Sequence, residues 1–299
     1  EYRFDRPLSP LAVYRRITAG DVFYYTLTVP EGYSIFEIAE AVERTGVLSR
    51  QEFLLAAGRG ERVADLAPGA PSLEGFLFPD TYRLTRHTTA EELIGQMLHR
   101  FREVWGQLPG GLPASALPAV TLASLVEEET PRESERPLVA SVFRNRLRIG
   151  MALQCDPTVV YALQLAGRYR GSIFKDDLAY SSPYNTYARA GLPPGPISNP
   201  GRASLQAALA PADSDYLYFV ADHNGGHTFS ASLERHSTVK SVNIQLPTTS
   251  RCVKCAHLRA EPTTAPSPWN SEASAPPRSA YSWLKDSMDS RVPFSTACS

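Results

Sequence analysis

The sequence predicts an α+β fold in three parts: a small α/β module, a larger mixed α+β domain and an irregular C-terminal tail. Three observations carry this. An aromatic and β-branched run, Phe23–Val29, leads into two stretches of helical periodicity that each open on a serine. A longer helical region around residues 120–165 is followed by two short strand-like runs about Asn224-Gly225-Gly226. From about Ser241 the periodicity stops and Pro, Ser, Thr and Ala dominate. A linker-like stretch from Gly106 to Pro118 divides the rest, giving expected units at 1–106, 107–240 and 241–299.

The chain has 299 residues, 43% hydrophobic and 20% charged, with 30 basic and 31 acidic side chains and a net charge of −1. That balance fits a water-exposed globular protein and offers no basic field for nucleic acid or anionic lipid. No apolar run approaches the roughly 20 residues of a membrane-spanning helix. The chain opens on Glu1-Tyr2-Arg3-Phe4 rather than Met, which reads as the interior of a longer protein with a signal or anchor upstream. Cys155, Cys252, Cys255 and Cys298 make no disulfide framework. Cys252, Cys255 and His257 lack a fourth zinc ligand at suitable spacing, so no metal site is expected.

In order, Leu8–Ile17 reads as a short helix closed by Gly20, and Phe23–Val29 as a strand. Ser34 caps a helix with Ile35, Ile38, Ala39 and Val42 on one face. Ser49 and Glu52 form a capping-box pattern ahead of Phe53 and Leu54. This strand–helix–helix unit, VPEGYSIFEIAEAV at its centre, resembles a LysM-like module, a small fold that often holds N-acetylated glycans. Leu73–Tyr82 reads as an aromatic strand broken by Pro79, and Thr89–Phe101 as an amphipathic helix.

Leu122–Glu129 reads as a helix. With Leu122 at zero and about 100° per residue, Leu125 falls at about 300°, Val126 at about 40° and Glu129 at about 340°. Glu129 thus sits within the apolar stripe, and Glu127 and Glu128 point away. Pro131 disfavours helix at Thr130, which puts Glu129 in the last turn. Burial and the negative helix end both raise a carboxyl pKa towards that of a general acid. The same spacing also accommodates a surface Glu in a charged run.

Thr130-Pro131-Arg132-Glu133 reads as a capping box. A helix then restarts at Pro137 and runs to Ile149, with Val139, Phe143 and Leu147 buried and Gly150 as the stop. Asp156-Pro157-Thr158 opens a helix through Leu165, ending at Gly167. Residues 181–201 are too rich in Pro, Gly and Asn for regular structure. Asn199-Pro200 starts a helix through Leu209, and Tyr216–Ala221 with His227–Ser230 makes the hairpin.

Several polar residues in this half admit two readings. Asp156 is a helix N-cap or a sugar ligand; Gln154 makes a substrate or a structural hydrogen bond. Asn185, between Tyr184 and Tyr187, is a turn residue beside core aromatics or part of a sugar platform. Asn199 reads as a cap, and His227 and Thr228 open a strand. His223 and His227 lack metal-ligand geometry on a hairpin. Glu74 and Asp80 are candidates for a second carboxylate, with a structural role as the other reading.

Four segments in order, LASLVEEET (122–130), ASVFRNRLRIGMALQCDPTVVYAL (140–163), YNTY…GLPPGPISNPG (184–201) and YLYFVADHNGGHTFS (216–230), resemble the endolytic murein transglycosylases, the MltG/YceG-like family. The likeness spans roughly residues 1–240. It implies that Glu129 is the catalytic acid. It further implies cleavage of the β-1,4 bond after N-acetylmuramic acid, leaving a 1,6-anhydro end. The sugar's 6-hydroxyl replaces water, so one Glu serves as acid and then base, where hydrolases need two carboxylates. The 2-acetamido group can assist at C1. No cofactor is needed.

The substrate-binding set expected on this basis is Gln154, Asp156, Tyr184, Asn185, Tyr187, Asn199, His227 and Thr228. Partners implied are peptidoglycan glycan strands and cell-wall synthases, with no nucleic acid. Location is implied at the inner membrane, through one upstream anchor, facing the periplasm or cell-wall space. Beyond His236 the tail departs from the family pattern. Two rival functions stand beside this one: a non-catalytic peptidoglycan-binding protein, and a water-using muramidase pairing Glu129 with Glu74 or Asp80.

Overall fold

The chain is described by a computed structural model covering residues 2–4, 6–109, 113–222 and 225–236. The expectations on His223, Asn224, Cys252, Cys255, His257, Cys298 and the 241–299 tail lie outside these residues.

Local rules account for the first elements. Helix α1 (Pro10–Thr18) starts at Ser9, which accepts from Ala12 N. Strand β1 (Tyr25–Thr28) leads to α2 (Ile35–Arg44) and α3 (Arg50–Ala57). Both helices carry complete capping boxes, Ser34 with Glu37 and Ser49 with Glu52. Strand β2 (Thr81–Leu84) pairs antiparallel with β1, Leu27 opposite Tyr82, giving a strand–helix–helix–strand unit. Helix α4 (Ala90–Gly106), boxed by Thr89 and Glu92, buries Leu93, Ile94, Met97 and Phe101 and runs past the expected end to bury Trp105.

Residues 73–79, read from sequence as a strand, form an irregular turn segment instead. Their polar groups are taken by side chains and local turns. The Glu74 carboxylate accepts from Ile35 N (3.1 and 3.0 Å), and Leu77 N donates to Asn199 Oδ1 (2.9 Å). Gly75 is left-handed at φ 86°, where a β-carbon would collide with Pro196 and Val120.

Helix α5 (Leu117–Glu129) is the centre of the remainder. Every residue from Val120 to Val126 is buried, so it has no solvent face in that stretch. It ends where Thr130 turns extended (φ −139°, ψ 128°) ahead of Pro131. The expected capping box at Thr130 does not form. Thr130 Oγ1 accepts from Arg132 N (3.1 Å) and donates to Glu135 (3.3 Å), and a 3₁₀ turn (Glu133–Glu135) leads into α6 (Arg136–Arg148). Helices α7 (Asp156–Leu165) and α8 (Arg202–Leu209) follow, with α5 packed against α6, α7 and α8. Strands β3 (Tyr218–Ala221) and β4 (His227–Ser230) form the expected hairpin, Phe219 opposite Phe229. Phe219 stands edge-on to Phe143 of α6, ring centroids 6.0 Å apart.

The loop before α8 is stitched across the molecule. Ile197 N donates to Ser124 Oγ (3.1 Å) on α5. Asn199 is fully buried and uses its whole amide. Nδ2 donates to Tyr33 O (2.8 Å) and Glu74 Oε1 (2.8 Å), while Oδ1 accepts from Leu77 N. It is not the expected helix cap; Gly201 holds that position. Replacing Asn199 by Ala strands several buried polar groups at once, so Asn199→Ala is expected to destabilise the chain by on the order of 3 kcal/mol in urea unfolding. A loss under about 1 kcal/mol would show that this stitch carries little.

Candidate active site

Glu129, the last residue of α5, opens onto a cleft of about 550 Å³. The far end of α6 (Arg146), Leu153, Gln154, Asp156 and Pro157, Tyr187 and the β3–β4 hairpin complete its walls. Glu129 is half-buried, and the packing around its carboxyl removes it from bulk water. That burial is the main cause of a pKa pushed up to about 7 from an ordinary 4.5. A hydrogen bond from the Cys155 thiol pulls it down, the charges of Asp156 and Glu128 push it up, and that of Arg146 pulls it down.

Glu127 corrects a sequence expectation. It was to point away from the core, but α5 is enclosed all round and the Glu127 side chain is only 6% exposed. It accepts from Arg136 Nη2 at 2.8 Å and from Gly201 N at 2.9 Å. Arg136 also reaches Glu31 at 3.5 Å, and a β-carbon at Gly201 would strike the Glu31 carboxyl. Helical phase therefore misplaced Glu127, and what distinguishes the two glutamates is their partners. Glu127 faces a guanidinium, whereas Glu129 faces the cleft.

The segment opposite Glu129 is held by residues 184–187. Gln154 is exposed to the cleft and left-handed (φ 50°), a conformation that costs a non-glycine residue energy and clusters at functional sites. Its N donates to Thr186 O (3.2 Å), and Cys155 N to Thr186 Oγ1 (3.0 Å). Tyr187 OH donates to Asp156 Oδ1 at 2.5 Å. Asp156 is the first residue of α7 rather than its cap, because Cys155 holds the cap position without a side-chain bond.

Asn185 is buried and fully committed: Nδ2 to Leu178 O and Tyr180 O (2.9 and 2.8 Å), Oδ1 from Tyr187 N (2.9 Å). Tyr184 is buried against Tyr161, ring centroids 5.0 Å apart. The structure therefore brings Gln154, Asp156, Tyr187 and His227 together with Glu129, but not Tyr184, Asn185 or Asn199, which are buried in the core away from the cleft. Thr228 is exposed and, by strand alternation, faces away from His227. Glu74 and Asp80 are also remote: Glu74 supports the start of α2, and Asp80 accepts from Arg100 Nε at 2.8 Å.

His227 Nδ1 lies 2.7 Å from Glu135 Oε2, and its backbone N donates to Glu135 Oε1 (3.2 Å). This ties the hairpin to the loop that follows Glu129. Cys155, Glu135 and Arg146 were missed from sequence. Their partners come from 26 residues away for the Cys155 thiol, 92 for Glu135 and 71 for Arg146, and no local pattern signals such contacts. Among the described residues no group of three or more His, Cys, Asp or Glu could hold a metal ion.

A half-buried acid of near-neutral pKa on a cleft of mixed polar and apolar lining is a candidate site for acid–base chemistry. Comparison with known proteins identifies the family of the chain. The profile of the YceG-like family matches residues 1–241. The chain is 34% identical to the endolytic murein transglycosylase of Bacillus subtilis, covering 80% of this chain and 71% of that one. It is 32% identical to the endolytic murein transglycosylase of Streptococcus pneumoniae, covering 69% of this chain but 42% of that longer protein. A yceG-like protein of Listeria monocytogenes shares the fold, with a TM-score of 0.61 at 33% identity over 76% of this chain and 80% of that one. The chain belongs to the YceG-like family.

The raised pKa of Glu129 has a consequence for stability. The folded chain binds this proton more tightly than the unfolded chain, so stability falls as pH rises from about 4.5 to about 7 and then levels off. Glu129→Gln removes that cost. The variant is expected to gain on wild type by roughly 3 kcal/mol between about pH 4 and pH 8 in urea unfolding. A difference independent of pH would mean an ordinary carboxyl.

Proposed function

We propose that this chain is a lytic transglycosylase that cuts peptidoglycan glycan strands internally at the β-1,4 bond after N-acetylmuramic acid. The observation that carries the reading is Glu129: a carboxyl that burial keeps protonated near neutral pH, at a cleft, in a family whose curated relatives bear that activity in their names. Glu129 protonates the glycosidic oxygen as the C1–O4 bond breaks. The 6-hydroxyl of the same sugar attacks C1, and the Glu129 carboxylate takes its proton. No water is consumed, and Glu129 ends as it began.

Gln154, Asp156, Tyr187 and His227 line the cleft and are the substrate contacts in this reading. Tyr184, Asn185 and Asn199 act behind them as scaffold. The water-using alternative loses both carboxylates assigned to it, since Glu74 and Asp80 are committed elsewhere. The strand–helix–helix–strand order of residues 25–84 supports a LysM-like, glycan-holding module ahead of the catalytic part, with the division near residues 106–107. Such a substrate puts the catalytic part outside the cytoplasm, and the proposal adds an anchor through an upstream segment and work beside cell-wall synthases. Among the described residues no helix is long and apolar enough to cross a membrane.

Digestion of purified peptidoglycan tests this. The expected products are anhydromuramyl fragments, lighter by one water than hydrolytic ones in mass spectrometry. Glu129→Gln is expected to fold and to lose on the order of 10²-fold or more in rate. Hydrolytic masses, binding without release, or a fully active Glu129→Gln would each overturn the proposal.

A further inference from the structure

Arg146 stands in the last turn of α6 and is 8% exposed. Its Nε donates to Leu217 O (2.7 Å), and Nη1 donates to Leu153 O (2.6 Å) and Ala152 O (3.5 Å). Its guanidinium carbon lies 5.5 Å from the centroid of the Tyr218 ring. All of these partners are neutral, and among the described residues no carboxylate lies within ion-pair distance of Arg146. Arg136, buried to a similar degree in the first turn of the same helix, is neutralised by Glu127 at 2.8 Å. A guanidinium buried without a counter-ion is costly, and a fold that pins one in place with three carbonyls is holding its charge at a chosen point. That point is the wall of the cleft that Glu129 also lines.

We propose that Arg146 is a positioning residue for charge: a fixed cation that supports the ionised form of Glu129 between its two proton transfers. The inference rests on the reading of Glu129 as the acid. Protonated Glu129 beside Arg146 carries one net positive charge; after donation the two are balanced. The carboxylate can then persist until the 6-hydroxyl releases its proton. The other groups facing Glu129 act on this balance. Asp156 from α7 and Glu128 from α5 oppose ionisation, and the Cys155 thiol at the start of α7 favours it. Tyr187, Tyr218 and His227 border the same cleft from the loop and the hairpin. Without Arg146, burial and the two acidic neighbours would hold the proton more tightly, with the Cys155 thiol as the remaining support for the carboxylate.

The test is kcat/KM against pH on soluble glycan strands, with the full chain, for wild type, Arg146→Lys and Arg146→Gln. Cleavage needs protonated Glu129, so kcat/KM declines as pH rises through the acid's pKa. Arg146→Gln is expected to move that decline upward by about half a pH unit and to lower the plateau by about threefold, whereas Arg146→Lys keeps the wild-type midpoint. If Arg146→Gln does not fold by circular dichroism, citrulline at position 146 keeps the donors to the carbonyls, drops the charge, and is expected to give the same shift. An unmoved midpoint in the folded neutral variant would reduce Arg146 to a pin for the hairpin. With Glu129→Gln inactive, that result overturns only this inference; an active Glu129→Gln overturns the reading beneath it.

Discussion

Desolvation of the Glu129 carboxyl is the constraint on which the site depends. A carboxyl in water ionises near pH 4.5 and cannot donate a proton at neutral pH, so a protein that needs such an acid must dry it. Here the drying comes from α5, a helix enclosed from Val120 to Val126 that carries Glu129 to its end. Enclosure needs neighbours on every side. The residues 195–199 loop lies on α5 through Ile197 and Ser124, Pro196 fills the space over Gly75 and Val120, and α6, α7 and α8 close the rest. Packing far from the cleft thus bears on the protonation of Glu129.

Polar residues divide into those that face the cleft and those that hold them there. Asn185 spends its amide on three backbone groups and so fixes Tyr187, which holds Asp156. Thr186 supports Gln154 and Cys155. Asn199 and Glu74 tie the N-terminal unit to the loop before α8. A buried amide with all its hydrogen bonds made is rigid, and rigidity behind a site keeps its geometry through a reaction. Arg146 and Arg136 show the same economy in charge: the one paired with a carboxylate holds two parts of the chain together, and the one left to neutral carbonyls serves the acid.

Most features set within four residues are legible from sequence, the capping box expected at Thr130 being the exception. The cap at Ser34, the capping box at Ser49, the helix from Thr89, the stop after Glu129 and the hairpin about Gly225 follow from local hydrogen bonds and backbone preferences, although the boxes that Glu37 and Glu92 complete at Ser34 and Thr89 are seen only in the structure. Glu129 stood out by helical phase and by its place in the LASLVEEET segment. Phase failed for Glu127, because it assumes a helix with one wet face and α5 has none there. The Asn-Pro and Asp-Pro patterns suggested caps, yet Asn199 and Asp156 are used by partners 125 and 31 residues distant. Leu73–Tyr82 has a strand's composition but spends its backbone groups on side chains and local turns, which composition does not show.

The central claim is that Glu129 holds its proton near neutral pH, and its own titration tests this most directly. Infrared difference spectra of wild type against Glu129→Gln, recorded across the range from about pH 4 to about pH 9, isolate the carboxyl stretch of this one residue. The protonated band is expected to persist past pH 6 and to titrate with a midpoint near 7. A band lost by pH 5, as for a carboxyl in water, would contradict it.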